Sequence, residues 1–291
     1  MRNPVPRVAA VNDLSGFGRS SLAVIMPIIS SMGIQVCPLP TAILSTHTGG
    51  FQGYTFVDFT EHMEDYINHW YSLDIHFDCI YSGFLGSPRQ IHIVGDFFDK
   101  FAHQQPLYVV DPVLGDNGEL YQTMSIEMVE NMKDLVQKAD VITPNFTEAA
   151  LLLGERYREH IQEQETKKWL ERLSAMGPET VIITSVPDIQ SDKITYVYAY
   201  EREDHRFWKI KADFIPAFFP GTGDCFASVV VGSILQGDSL PITLDRAVQF
   251  TSLAIRSSYG YRYPQREGVL LERVLDNLKA PVSVSSYEII E

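Results

Sequence analysis

The sequence predicts an α/β fold: a central, mostly parallel sheet flanked by helices on both faces, with a small β-hairpin excursion. Three observations point there. Short β-type runs alternate with longer amphipathic stretches from "RVAAV" (7–11) to "ETVIITS" (179–185), and parallel strands need such crossovers between them. "FDCIYSG" (77–83) and "LYVVDP" (107–112) are strongly apolar, as strands covered on both faces must be. One stretch breaks the rhythm: "DKITYVYAYEREDHRFWKIKADF" (192–214) reads as two extended arms around a polar tip, a hairpin instead of a crossover.

Taken in order, "RVAAV" is the first strand, and "SSLAVIMPIISSM" (20–32) is a helix stopped by Gly33. "IQVCPLP" (34–40) is extended, and "FVDFTEHMEDYINHWYSL" (56–73) carries apolar residues at helical spacing. After the strand at 77–83 comes the helical "RQIHIVGDFFDKFAHQ" (89–104). Further strands are expected at 107–112, "ADVITPN" (139–145) and 179–185, with helices between them. Beyond the hairpin, "GTGDCFASVVVGSIL" (221–235) opens a helix, and a helical tail follows over roughly 243–279. No repeat, low-complexity tract or composition shift marks a linker, so residues 1–291 read as a single domain.

Hydrophobic content of 45% with 21% charged residues suits a soluble globular chain, and 291 residues can bury a core without disulfides or a structural metal. A formal net charge of -14 argues against nucleic acid and anionic membranes as main partners. Any phosphate ligand must therefore be held locally, by amides, metal ions or a few cations. Cys37, Cys79 and Cys225 form no C-x-x-C pair and read as free thiols. With no signal-peptide pattern and no membrane span, the expected location is cytoplasmic.

Six segments carry candidate chemistry. In Gly221-Thr222-Gly223-Asp224, glycines and a helix start can turn amides towards one anion, and the aspartate can take a proton from an attacking hydroxyl. The plain alternative is a tight turn whose Asp caps the helix. "NDLSGFGRSS" (12–21) lacks the third glycine of a dinucleotide fingerprint, and no acidic residue lies between Asp13 and Asp58. No Gly-Lys pair occurs anywhere, which excludes a Walker A loop. It remains either a ligand loop or an ordinary βα turn. "LSTHTGGFQGY" (44–54) gathers Ser45, His47 and Thr48 beside Phe51 and Tyr54, a set suited to a small hydroxylated aromatic ligand. His47 could serve chemistry or structure. "DPVLGDNGEL" (111–120) offers Asp111 and Asp116 as hard oxygen ligands for Mg2+. In "TPNFTEAALLLG" (143–154), Asn145 and Glu148 fit a helix-capping pair or, alternatively, a ligand-facing pair. "IITSV" (182–186) ends in Thr184 and Ser185, placed to meet a phosphate. Singly each is ambiguous, but the clusters follow predicted strands at their carboxyl ends, where open α/β sheets bind ligands. His62 and His69 do not form H-E-x-x-H, and no G-x-S-x-G elbow is present.

"SGFGRSS", "TPN…E" and the Gly-Thr-Gly-Asp helix together resemble the ribokinase-like superfamily, and "LSTHTGG", "DPVLGD" and "ITPNFTEA" look like its pyridoxal kinase branch, in the expected order from Val8 to about Gly237. The resemblance implies ATP-dependent phosphorylation of the 5′-hydroxymethyl group of a B6 vitamer, with Mg2+, often a monovalent cation such as K+, and usually a homodimer. It implies Asp224 as base and Gly221, Thr222 and Gly223 as anion hole; separately, the positive end of the helix is expected to lower the pKa of Asp224. Asp13, Ser45, His47, Thr48 and Phe84 would lie on the substrate side. Asp111, Asp116 and Glu148 would serve the metal; Asn145, Glu148, Thr184, Ser185 and Phe218 would serve ATP, with "KADFIPAFF" (211–219) covering adenine. Two departures stand out: Asp13 where such kinases often carry serine, closer to hydroxymethylpyrimidine kinases, and Phe84 where tyrosine is frequent. The alternatives are a hydroxymethylpyrimidine kinase and a non-catalytic B6-binding protein.

Overall fold

The computed structural model describes residues 4–189, 191, 194–213, 215–280 and 287–290. Its strands are β1 (Arg7–Phe17), β2 (Gln35–Thr46), β3 (Phe56–Asp58), β4 (Cys79–Ser82), β5 (Leu107–Val110), β6 (Gly115–Asp116), β7 (Glu119–Leu120), β8 (Val141–Ile142), β9 (Thr180–Pro187), β10 (Ile194–Glu201), β11 (Arg206–Asp213) and β12 (Tyr287–Ile290). The helices are α1 (Leu22–Ser31), α2 (Thr60–Ser72), α3 (Pro88–Phe101), α4 (Ile126–Gln137), α5 (Phe146–Leu153), α6 (Glu163–Ser174), α7 (Thr222–Leu235) and α8 (Leu240–Tyr259). Ten strands make one sheet in the order β12-β11-β10-β9-β8-β5-β4-β1-β2-β3, and β6-β7 stand apart as a small hairpin.

The middle of the sheet, from β2 through β1, β4, β5 and β8 to β9, is parallel throughout. At its centre Val8–Val11 and Cys79–Ser82 are buried on both faces. Val8 and Ala10 join the apolar layer beneath α1, α7 and α8, whereas Ala9 and Val11 join the one beneath α2 to α6. That is why these strands read as unbroken apolar runs. The small residues of α7 also have a packing reason: a Cβ on Gly232 would lie 2.3 Å from the Met32 sulfur.

Several boundaries depart from expectation. β1 does not stop at Val11; it continues through Asn12 and Asp13 to Phe17, paired with β2 across a register shift near Asp13. Its pairing with β4 ends at Val11, so the two halves of β1 sit in different surroundings. Phe56–Asp58 form β3 instead of the first helical turn. The helical tail ends at Tyr259, and Gly260, Pro264 and Gly268 break the remainder into short 3-10 turns. The expected hairpin pairs as β10 with β11, and it extends the main sheet through β9; Asp192, Lys193 and Phe214 of that stretch lie outside the described residues. β12 had no signal in the sequence reading. Among the described residues, no helix is long and apolar enough to cross a membrane.

Candidate active site

The parallel strands deliver their polar ends to one edge of the sheet, and α7 starts there. Its N-cap residue is Gly221 at φ 81°, which has no side chain to accept from the first amides. Glycine is required at that point, because a Cβ would meet the Arg19 carbonyl oxygen at 2.4 Å. Gly223 is exposed and has open space where a Cβ would be. The amides of Thr222 and Gly223 belong to the first turn, whose N–H groups have no intrahelical acceptor.

Asp224 does not cap its own helix. Its Oδ2 accepts the main-chain N–H of Ser21 at 2.7 Å, and its Oδ1 accepts from Asn12 Nδ2 at 3.3 Å. The plain capping alternative therefore gives way to a carboxylate held across two other elements. Burial pushes its pKa up to about 6, and the charge of Asp13 adds to the rise, against the lowering by the Ser21 amide and Asn12. The sequence expectation that the helix start lowers this pKa is corrected: desolvation outweighs it.

Asn12 and Ser21 were not singled out in the sequence. Asn12 is fully buried, and its Oδ1 accepts the amides of Asp13 (2.8 Å) and Phe84 (3.1 Å) while its Nδ2 faces Asp224. A Cβ on Gly83 would lie 2.3 Å from that Nδ2, so "YSGF" needs its glycine to admit Asn12. Ser21 sits at φ 55°, a strained region for a non-glycine residue. It is the N-cap residue of α1 and presents its amide to Asp224. The only advance signal was two serines directly before an apolar helix.

Asp13 is 6% exposed and receives the Ser15 hydroxyl at 3.1 Å; burial raises its pKa, partly offset by hydrogen bonds from Ser21 and Ser15. At the end of β2 and in the loop after it, Ser45 and Thr48 are exposed, with Ser45 Oγ accepting the Thr55 amide at 2.8 Å. Phe84 is half-buried, and its carbonyl accepts the Thr41 hydroxyl. His47 is tied to the main chain through its ring. Its Nε2–H points to the Arg266 carbonyl (2.7 Å) and its Nδ1 accepts the Gly49 amide (3.1 Å), so both ring nitrogens are engaged by main chain. Burial lowers its pKa, which fits that neutral tautomer.

On the other side of α7, Asp111 is 7% exposed, and its pKa is pushed up to about 8 by burial and then by Asp224. Glu148 is also buried, and its pKa is raised by burial and by Asp111. Here the capping reading holds: Asn145 Oδ1 accepts the Glu148 amide at 2.9 Å and Glu148 Oε2 accepts the Asn145 amide at 2.8 Å. Glu148 Oε1 also takes the Leu114 amide (3.1 Å), and Asn145 Nδ2 donates to the Gly115 carbonyl (2.8 Å). Asp116 stands apart on the β6–β7 hairpin, where it accepts the Asn117 amide at 2.8 Å. Among the described residues no three His, Cys, Asp or Glu side chains converge closely enough to hold a metal ion alone. Asp111, Asp116 and Glu148 are thus not a closed ligand set: the first two lie on different segments, and Glu148 already receives main-chain amides.

A cavity of about 760 Å³ adjoins this edge. Thr184, Ser185, Phe218, Thr222, Gly223 and Asp116 line it, with Phe226, Val248 and Ile255 among its apolar walls. Ser185 is again a non-glycine residue at positive φ, 57°, and Phe218 is 60% exposed. Within "KADFIPAFF", Ala212 and Ile215 to Phe219 line the cavity, and Phe214 lies outside the described residues.

The chain is similar over most of its length to known kinases. The family model described as phosphomethylpyrimidine kinase matches residues 27–268. A solved structure from Bacteroides thetaiotaomicron VPI-5482, provisionally assigned as a phosphomethylpyrimidine kinase and crystallised with pyridoxal, is 54% identical with a TM-score of 0.95, covering 98% of this chain and 100% of that one. The pyridoxal kinase from Lactobacillus plantarum is 32% identical with a TM-score of 0.84, covering 94% and 96% of the two chains. The pyridoxal kinase of Dictyostelium discoideum is 29% identical over 238 residues, 76% of each chain. With the uncapped α7 start and the strand-end carboxylates in place, the chain belongs to the ribokinase-like superfamily, in the family of pyridoxal and phosphomethylpyrimidine kinases.

Proposed function

We propose that this kinase transfers the γ-phosphoryl group of ATP to the 5′-hydroxymethyl group of pyridoxal, pyridoxine or pyridoxamine. The observation that carries the reading is a carboxylate raised to about 6, Asp224, beside a helix start that no side chain caps. At that pKa Asp224 is mostly ionised near neutral pH yet a better base than an ordinary aspartate. Ser21 fixes one oxygen at 2.7 Å, while the other has only the longer Asn12 contact of 3.3 Å and is free to take the proton of the alcohol. The Thr222 and Gly223 amides hold the migrating phosphoryl oxygens. Such preorganised donors are worth on the order of 10²–10³ each in rate, and a loose transition state depends on them more than on strong base catalysis.

Asp13, Ser45 and Thr48 take the heterocycle, with Phe84 beside it, and Thr184, Ser185 and Phe218 take the nucleotide in the 760 Å³ cavity. Asp111 and Glu148 suit Mg2+, since a cation relieves the like-charge repulsion that raises both pKa values. Mg2+ commonly uses one or two carboxylates and completes its shell with water and phosphate oxygens, so no closed protein cage is needed. When bound it neutralises phosphate charge. The free thiols Cys37, Cys79 and Cys225 suit a cytoplasmic enzyme, and the resemblance supports a homodimer whose residues 1–291 act as one kinase domain.

A second reading, phosphorylation of hydroxymethylpyrimidine, is favoured by the buried carboxylate at Asp13 and by the description of the matching family model. An ADP-release assay with Mg2+ across the three vitamers and hydroxymethylpyrimidine decides between them. Preferred turnover of a B6 vitamer supports the first reading, preferred turnover of the pyrimidine supports the second, and none with any alcohol leaves a binding protein.

A further inference from the structure

The turn after α8 is tied to the loop on the substrate side of the site. Arg266, in the 3-10 turn Gln265–Glu267, contacts residues 47–51 in several ways. Its carbonyl accepts the His47 Nε2–H at 2.7 Å, and its Nη1 donates to the Gly50 carbonyl at 3.3 Å. Its guanidinium lies 4.8 Å from the centre of the Phe51 ring, which also meets His47 and Phe17 edge-on. Gly50 fits closely: a Cβ there would lie 3.2 Å from Arg266 Cβ.

The turn itself is anchored elsewhere. The Arg19 amide donates to the Glu267 carbonyl at 3.0 Å, and the Tyr263 hydroxyl donates to the Gly268 carbonyl at 2.8 Å. Gly268 must be glycine, since a Cβ would come within 2.5 Å of the Arg19 carbonyl oxygen. A fixed turn thus holds a loop that has little regular structure of its own between β2 and β3. At the loop's far side, a Cβ on Gly49 would lie 3.5 Å from Pro220, the residue before the α7 N-cap. Holding residues 47–51 therefore sets how closely the substrate loop approaches the helix start.

We propose that Arg266 is a positioning residue that latches loop 47–51 against the α7 start and so sets affinity for the phosphoryl acceptor. This rests on the vitamer reading of that loop. Arg266 is exposed and its side chain lies outside the apolar cores, so its replacement leaves folding intact. One exposed cation–π contact and one hydrogen bond amount to roughly a tenfold bias towards the closed loop.

The test uses the full-length enzyme with Arg266→Ala and Arg266→Lys, read by steady-state kinetics and amide hydrogen exchange. For Arg266→Ala, the KM for pyridoxal rises about tenfold, while the KM for ATP and the Tm stay at the wild-type values; Arg266→Lys, which keeps a cation over Phe51, falls between. In the unliganded protein, amides of residues 48–53 exchange about tenfold faster in Arg266→Ala. A pyridoxal KM within twofold of wild type, an equal rise in both KM values, or unchanged exchange overturns the latch. Faster exchange in a protein whose wild type phosphorylates none of the three vitamers upholds the latch and overturns the vitamer reading instead.

Discussion

Two helices begin at the same edge of the sheet, and they begin differently. The α5 start is sealed: Asn145 and Glu148 satisfy each other's amides, and Asn145 reaches on to the β6 carbonyl. The α7 start is open: glycine occupies the N-cap position, and the acidic residue of the first turn looks away to Ser21 and Asn12. Both carry a carboxylate at the third helical position. Position alone therefore says little about role, and what distinguishes them is whether the carboxylate turns back onto its own helix. Where it does, the helix start is a joint; where it does not, the amides remain for a ligand.

The sharpest way to break this contrast is Asp224→Asn. Turnover should fall by at least about 10²-fold with vitamer binding retained, and near-normal turnover by the ADP-release assay would remove Asp224 from catalysis. Stability should move the other way. Because the folded pKa is raised above the ordinary aspartate value, the stability linked to this group is present at acid pH and lost as pH rises through about 6. Thermal melting at pH 8 should find Asp224→Asn at least as stable as wild type.

A smaller effect comes from pH. The base must be ionised, so kcat/KM for the vitamer should decline towards tenfold per unit as pH drops below about 6. A profile flat to pH 5 would mean that proton removal does not limit the reaction. Smallest is Asn145→Ala, which removes one half of the capping box. A loss of about 1 kcal/mol, or a few degrees in Tm, is expected. A variant with wild-type Tm would show that the sealed start is not a joint.

Much of the fold was legible because burial on both faces leaves an unmistakable trace: all four residues of Val8–Val11 are buried and apolar. Segment ends were less so. β1 runs on through Asn12 and Asp13 because β2 keeps pairing with it after β4 has stopped, and no local pattern encodes a neighbour's departure. In the site, Asp111, Glu148 and Asp224 could be found from residue type and place after a strand or turn. Asn12 could not, since its importance comes from Gly83, distant in sequence, making room for it. The direction of the Asp224 pKa was misread for a related reason. A helix start is visible in sequence, whereas the depth at which it lies is not.

The phosphoryl-binding donors assigned to α7 are main-chain groups, and that divides the protein's possible futures. Short of proline, no single replacement can delete an amide, so mutation has little grip on how the phosphoryl group is held. The acceptor contacts proposed above come instead from replaceable side chains at Asp13, Ser45 and Thr48. A lineage descended from this chain can change which alcohol it serves far more readily than it can abandon the chemistry.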